Sequence, residues 1–467
     1  MQDSPGAREQ TSERDEIDTP LGSKTRRTVL MAFAAVATGA CLNAINSTLI
    51  VTAYPELARA FDMPYALVSV LVMYYLAATA AAQPLAGALG DLLGRRRVFL
   101  LAILGFCAAS IAAGFVEDFD HLVFWRVIQA LFSGTITANA ATLVHRIVPE
   151  AKIGAYLGLL GSAMLGSSAL AFPLGGLVIH YLEWPALFWC SVPLGLVALL
   201  LVFFYVPRDD ESRVRVSSLS TLGLPFVPFA VMLQAFVLEQ SLLWPTLAWV
   251  ITSALVVTAV LRSPESRGQF ARINNFAFNM GTLVALFAAA ITFSLMFMLP
   301  AWVTISLGLT PTELGVYLAS YTFAMMLASP LSGNYIDGRG DRLPRALTGL
   351  LVVFGYAALL GLSNRPGFVL AMLCIGAASA AAQVISQRAS LLAAPREVQA
   401  LAMGIFNTYR MVGCMLGNAL PAYMLAQHPQ MSAALGADIV AWSFAAFGLP
   451  LLAALWFAGR GQRATPR

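Results

Sequence analysis

Two arginines stand inside long apolar segments of this 467-residue chain. Arg126 lies in LVFWRVIQ (122–129), and Arg410 lies in GIFNTYRMVGCMLG (404–417). A charge in a nonpolar environment is costly, so such a side chain usually faces a cavity or a polar partner and serves ligand or ion binding. Gln129 follows Arg126 by three residues and shares its helix face. The alternative for Arg126 is a side chain that extends to the membrane surface, because it lies only about five residues into its segment.

The composition indicates a membrane protein without catalytic chemistry. The chain is 59% hydrophobic and 11% charged, with a mean hydropathy of +0.75, whereas a soluble domain carries about a quarter charged residues. No nucleotide-binding loop, nucleophile motif or metal-type cluster is found, which argues against an enzyme and against ATP-driven transport. The five cysteines fall in apolar segments, and no disulfide is expected. We expect no cofactor, no metal and no nucleic-acid partner.

Fourteen apolar segments are long enough to cross a membrane, since a spanning helix needs about 20 apolar residues. Two of them, at 218–238 and 241–261, separate six segments on either side, and the first of this pair is interrupted by Pro225 and Pro228. The fourteen segments are 29–54, 64–90, 97–116, 121–144, 153–181, 185–206, 218–238, 241–261, 279–307, 311–336, 344–363, 366–388, 398–425 and 436–458.

The distribution of basic residues predicts the orientation of these segments. With a cytoplasmic N-terminus, every one of the 28 Lys and Arg falls on the cytoplasmic side except Arg59, Arg365, Arg126 and Arg410. Cytoplasmic loops carry an excess of Lys and Arg, so an even number of spans with both termini cytoplasmic is expected. The preference for Arg over Lys and the abundant Ala suggest a bacterial source and hence the inner membrane.

The same patterns predict an all-α polytopic membrane protein and its organisation along the chain. The polar, mixed-charge N-terminus contains neither a signal peptide nor a transit peptide and is expected to be disordered. The predicted regions are a cytoplasmic tail (1–26), a six-helix bundle (27–206), cytoplasmic linkers with two extra transmembrane helices (207–278), a second six-helix bundle (279–458) and a second cytoplasmic tail (459–467).

A glycine- and arginine-rich motif connects the second and third segments. GALGDLLGRRR (87–97) resembles the signature loop of the major facilitator superfamily, G-x-x-x-D-x-x-G-R-[RK], and GNYIDGRGDR (333–342) is a weaker copy in the second half. The resemblance implies a twofold repeated transporter whose substrate site lies near the midplane between two bundles. It assigns gating to Gly87, Gly90, Asp91, Gly94, Arg95, Arg96, Asp337 and Arg339. Asp91 is expected to hold the cytoplasmic side shut.

The fifth segment carries small residues and a proline that permit close helix packing and a bend. It partly resembles the antiporter motif G-x-x-x-G-P-x-x-G-G, with Ser167 and Ala171 in place of two glycines; a packing face alone is the alternative. WPALFWCSVPLG (184–195) and the segment around Arg410 resemble the fourteen-span drug:proton antiporter family. The packing residues are Gly158, Gly161, Gly166, Pro173, Gly175 and Gly176.

The first segment departs from that family at one position. Asn46 stands where the family carries a carboxylate, and an amide cannot carry a proton. No carboxylate lies near the middle of any segment, so proton coupling would need an edge acid such as Asp91 or Glu239, or the bound substrate. Restoring an acid at position 46 is expected to increase efflux of lipophilic cations, whereas Arg126 and Arg410 favour neutral or anionic amphiphiles. The coupling candidates are Arg126, Gln129, Arg410 and Glu239.

These observations favour an exporter of small amphipathic compounds of the multidrug type, coupled to protons and working by alternating access. An importer or uniporter of a small organic acid and a non-transporting scaffold or sensor are the alternatives. The expected partners are a small-molecule substrate, protons, the lipid bilayer and a periplasmic membrane-fusion adaptor. The candidates for the cavity wall, each of which also suits ordinary packing, are Asn43, Asn46, Tyr74, Tyr75, Phe293, Phe297, Tyr321, Gln383 and Asn407.

Overall fold

A computed structural model describes residues 23–149, 152–208, 225–361, 365–395, 398–428 and 432–461. Within these ranges the chain is helical and contains no strand, which confirms the predicted all-α class. The first half contains α1 (Ser23–Thr52), α2 (Tyr54–Ala60), α3 (Val68–Leu93), α4 (Arg95–Ala113), α5 (Phe119–Ile147), α6 (Ile153–Tyr181), α7 (Ala186–Trp189) and α8 (Ser191–Tyr205).

Three helices join the two halves, namely α9 (Phe226–Val237), α10 (Leu243–Arg262) and α11 (Pro264–Ile273). The second half contains α12 (Phe276–Leu307), α13 (Pro311–Arg339), α14 (Arg342–Gly361), α15 (Arg365–Ala393) and α16 (Gln399–Gln427). It ends with α17 (Ala433–Ser443), which continues through a π-helical turn (Phe444–Gly448) into α18 (Leu449–Gly461).

Eleven helical segments in the described ranges are long and apolar enough to cross a membrane. The helix α16 is not among them, although its 29 residues span about 44 Å at 1.5 Å per residue. The extra pair is described in part, with α10 close to its predicted bounds of 241–261. The 12 residues of α9 span only about 18 Å, less than the roughly 30 Å hydrocarbon core, and residues 218–224 of that predicted segment lie outside the described ranges.

Two glycines with positive φ connect equivalent helices in the two halves. Gly94 has φ +94° between α3 and α4, and Gly340 has φ +81° between α13 and α14. A residue without Cβ adopts such angles readily. The predicted repeat of the signature loop therefore has a matching backbone turn in each half.

The two halves contact each other along two helix pairs. The helix α6 packs along α13, and α3 packs against α16. Near one end these contacts are tight, because a Cβ at Gly315 would collide with the carbonyl of Phe172, and one at Gly176 would collide with the backbone at Pro311. We call this end, where α6 stops and α13 starts, the closed end.

The other end of these helices is more open. At Gly158 and Gly161 of α6, and at Gly404 of α16, a Cβ would have no atom within 4 Å other than those of its own helix. We call this end, which also holds the loop between α3 and α4, the open end. The contacts between the two halves are therefore concentrated toward the closed end.

Candidate substrate cavity

A cavity of about 290 Å³ lies between the two halves. Helices α1, α3, α5 and α6 of the first half and α12, α13 and α16 of the second half contribute to its wall. A smaller cavity of about 140 Å³ lies within the second half and shares Thr292, Phe293, Met325 and Arg410 with the larger one. The two cavities therefore adjoin, and Arg410 lies where they meet.

Arg126 is buried beside the larger cavity, with 2% of its surface exposed. Its Nη1 donates to Asn46 Oδ1 at 2.5 Å and to Gln129 Oε1 at 2.6 Å, and its guanidinium carbon lies 4.1 Å from the centre of the Tyr75 ring. Cation–π contact and hydrogen bonds to neutral acceptors stabilise the charge without cancelling it. No described carboxylate pairs with Arg126, so the positive charge persists at the cavity wall.

The position of Arg126 follows from the start of α5 and from the neighbours of Gln129. Asp118 caps α5 by accepting the backbone N–H of His121 at 2.8 Å, and this bond is the main reason why the pKa of Asp118 lies below its usual value. Gln129 Nε2 donates to Ser110 Oγ at 2.6 Å, and Ser110 Oγ donates to the Phe106 carbonyl at 2.7 Å. This chain fixes Gln129 and thus the acceptor that faces Arg126.

The side chains of Asn43 and Asn46 form hydrogen bonds within the first half. The Tyr75 hydroxyl lies 2.9 Å from Asn43 Oδ1 and 3.0 Å from Ser133 Oγ, and Asn43 Nδ2 donates to Thr137 Oγ1 at 3.1 Å. Neither asparagine is among the residues that line the two cavities. Their predicted place on the cavity wall is corrected accordingly: they hold Tyr75 and Arg126, which do line it.

Arg410 differs from Arg126 in its surroundings. It is partly exposed in both cavities and makes no hydrogen bond or ion pair with any described residue. The guanidinium group carries five N–H donors and remains charged at all physiological pH values. Its donors are therefore available to a molecule in the cavity.

Asn418 is a cavity residue that the sequence analysis missed. It is fully buried, and its Nδ2 donates to the backbone carbonyl of Ser69 at 3.2 Å across the two halves. Asn418 is among the residues that line the larger cavity, and its inaccessible Oδ1 has no hydrogen-bond partner among the described residues. The sequence did contain a signal for this position: Asn418 follows Arg410 by eight residues, about two helical turns, and so lies on the same helix face.

The remaining cavity candidates fall into two groups. Tyr75, Phe293, Phe297 and Tyr321 line the larger cavity, and Gln383 lines the smaller one. Tyr74 and Asn407 line neither. Tyr74 instead donates to Gln234 Oε1 of α9 at 2.5 Å. Its predicted contact with the cavity is therefore replaced by a contact with the linking helices.

The closed end is sealed by bonds between elements distant in sequence. The Tyr65 hydroxyl donates to the Phe297 carbonyl at 2.6 Å, which ties the short 3-10 turn before α3 (Tyr65–Leu67) to α12. Gln427 donates to Glu239 at the rim, where α9 packs against both α3 and α16. Glu239, a coupling candidate, thus lies on this rim and does not line either cavity.

The signature loop is described in part. Gly90 packs so closely that a Cβ would collide with Asn139, and Arg95 donates to the same Asn139 Oδ1 at 3.4 Å. Arg96 donates to the Phe203 carbonyl at 2.5 Å, and Arg339 lies over the Tyr335 ring at 5.6 Å. The surroundings of Gly87 and the side chains of Asp91 and Asp337 lie outside what the structure describes, so the gating contact of Asp91 stays a prediction.

The glycines of α6 divide into packed and unpacked positions. A Cβ at Gly175 would collide with Thr52 of α1, one at Gly176 would collide with the start of α13, and one at Gly166 would lie 3.6 Å from Met326. Gly158 and Gly161 face open space. The helix continues through Pro173. The predicted close packing is therefore present only toward the closed end.

Comparisons with known proteins agree with this arrangement. The family model of the Major Facilitator Superfamily matches residues 36–418 and 281–467. The MFS-type transporter YwoD of Bacillus subtilis is 28% identical over 415 residues, covering 85% of this chain and 90% of that protein. The tetracenomycin C resistance and export protein of Streptomyces glaucescens is 26% identical over 405 residues, covering 84% and 75%.

A solved structure shows the same fold. The bacterial homolog of the human lysosomal transporter Spinster, in an inward-facing and occupied conformation, superposes with a TM-score of 0.66 and 14% identity, covering 95% of this chain and 98% of that one. At this identity the likeness concerns the fold alone.

Proposed function

Because the chain belongs to the Major Facilitator Superfamily, a family of multi-pass membrane transporters, we propose that it exports small amphipathic compounds by proton-coupled alternating access. The observation that carries this proposal is the cavity between the halves, which is sealed at one end and lined by both halves. Export by the Streptomyces relative supports the direction.

The proposed orientation follows from the basic residues. If both termini are in the cytoplasm of a bacterial inner membrane, the open end faces the cytoplasm, because the loop with Arg95 and Arg96 lies there. Substrate then enters the cavity from the cytoplasm. Release requires the closed end to separate, which breaks the contacts of Gly176 with Pro311 and of Tyr65 with Phe297 while the open end closes.

The coupling proton has no obvious binding group in the cavity. Among the residues that the structure describes, those lining the two cavities include two arginines and no carboxylate. We therefore assign the coupling to Glu239 at the rim or Asp91 at the signature loop, with Arg126 and Gln129 adjusting to substrate in the wall. A periplasmic membrane-fusion adaptor would extend the exit path beyond the membrane.

Everted membrane vesicles test the direction of transport. Vesicles that contain the full chain should accumulate a fluorescent amphiphile when energised, and a protonophore should abolish the accumulation. Arg126→Gln should reduce it, whereas the exposed Arg59→Gln, which breaks only a surface pair with Glu56, should not. Accumulation in right-side-out vesicles alone would refute export and support import of an organic acid.

A further inference from the structure

We infer that the two adjoining cavities bind an organic anion, with its carboxylate on Arg410 in the smaller cavity and its apolar body in the larger one. This inference names the substrate class for the transport function proposed above and rests on it. The chemistry that would be recognised is a monocarboxylate with an aromatic or aliphatic body.

The first argument is the balance of charge. Arg126 and Arg410 line the larger cavity, and the described residues that line either cavity include no aspartate or glutamate. Two positive charges in a low-dielectric wall repel a cationic ligand and attract an anionic one, and water screens them less than it would at the surface. The cavity is therefore suited to an anion.

The second argument is the difference between the arginines. Arg126 directs donors to Asn46 and Gln129, and Arg345 pairs with Asp341 at 2.8 Å. In the described ranges Arg410 makes no comparable contact with protein atoms. A guanidinium group matches the two oxygens of a carboxylate in a bidentate geometry, which makes Arg410 the natural anchor.

The third argument is the shape and polarity of the smaller cavity. Its volume of about 140 Å³ exceeds that of a carboxylate group, and small side chains at Ala285, Ala288 and Ala289 leave this space open. Gln383 and Ser379 lie in the same wall, and the Gln383 amide can donate a further hydrogen bond. Charged and neutral donors thus share one small pocket.

The fourth argument is the wall of the larger cavity. Phe293, Met296 and Met325 provide apolar and adaptable surface for the ligand body. Ser168 and Thr322 add polar groups to the same wall. A ligand with one anionic end and an apolar body suits both cavities together.

The experiment compares three fluorescent ligands that share one body but differ in charge: naphthylacetate, naphthylacetamide and naphthylethylamine. Fluorescence polarisation measures their binding to the purified full chain in lipid nanodiscs. We expect the carboxylate to bind at least about tenfold more tightly than the other two. Arg410→Gln should weaken carboxylate binding by about 10- to 100-fold, the usual effect of losing a charge-assisted bond, and leave amide binding unchanged.

Two further variants separate charge from geometry and from folding. Arg410→Lys keeps the charge but not the bidentate geometry and should give an intermediate loss. Gln383→Leu should weaken carboxylate binding selectively even if Arg410→Gln is poorly folded. The control Arg59→Gln removes an exposed arginine that pairs with Glu56 and should bind like the unmodified chain.

Equal binding of carboxylate, amide and amine by the unmodified chain would overturn the inference, as would unchanged carboxylate binding by Arg410→Gln. If everted vesicles still accumulate the neutral or cationic ligand in that case, the proposed export function stands and only the substrate class is wrong. If Arg410 binds the carboxylate but vesicles move no ligand in either direction, the anion site stands and the transport function is wrong.

Discussion

Replacement of Asn46 by Asp tests whether the buried polar cluster controls the charge of the cavity. Asn46 Oδ1 accepts from Arg126 Nη1 at 2.5 Å, and both side chains are 2% exposed. A carboxylate at this position would pair directly with the guanidinium. The structure therefore revises the expectation from sequence that Asn46→Asp would present a counter-ion to lipophilic cations, because Arg126 would already neutralise that acid.

The magnitude follows from the distances. With charge centres about 4 Å apart, the new pair gains about 4 kcal/mol at an effective dielectric constant of 20, and burial of the carboxylate costs several kcal/mol, so stability should change little. The cavity meanwhile loses one net positive charge. For an anion about 8 Å from Arg126 this loss costs about 2 kcal/mol, or about thirtyfold in affinity.

The assay is naphthylacetate binding by Asn46→Asp in nanodiscs, alongside naphthylethylamine. Asn46→Leu is the matched control, since it removes the acceptor without adding a charge and should lower stability by about 1–3 kcal/mol while carboxylate binding persists. If Asn46→Asp binds or exports the amine better, the carboxylate is free to meet ligands, and the reasoning from the Arg126 contact is refuted.

Three further predictions concern energetics, closure and topology. An inside-negative potential set by potassium and valinomycin should accelerate naphthylacetate exit from proteoliposomes, since 100 mV corresponds to about 2.3 kcal/mol per charge, or about fiftyfold; indifference to potential would contradict an anionic substrate. Gly315→Val should lower the free energy of unfolding by about 1–3 kcal/mol because the new side chain would meet the Phe172 carbonyl, whereas Gly161→Val faces open space and should be tolerated. Equal melting temperatures of the two variants would contradict the tight closed end. Cysteine at Asp210, outside the described ranges, should resist an impermeant thiol reagent in intact cells; labelling from outside would contradict the cytoplasmic linker.

The sequence alone indicated the class of the protein and the polar residues that are candidates for its site. Long apolar segments, two signature loops and the positions of basic residues are local properties, and each limits the possible folds strongly. Arg126, Gln129 and Arg410 were recognisable for the same reason, because polar groups inside apolar segments are costly and therefore rare. The seventh predicted segment is described only from Pro225 onward, and α9 begins there at Phe226.

The contacts of those residues depend on the tertiary structure. The sequence predicted Asn46 and Asn43 as cavity residues, yet both form hydrogen bonds within the first half. Asn418 of α16 instead bonds to Ser69 of α3, which is 349 positions away in the sequence. Arg126 and Arg410 carry the same side chain, but packing gives the first protein acceptors and leaves the donors of the second facing the cavities. Such differences arise from contacts between helices far apart in the chain, which no periodicity within one helix encodes.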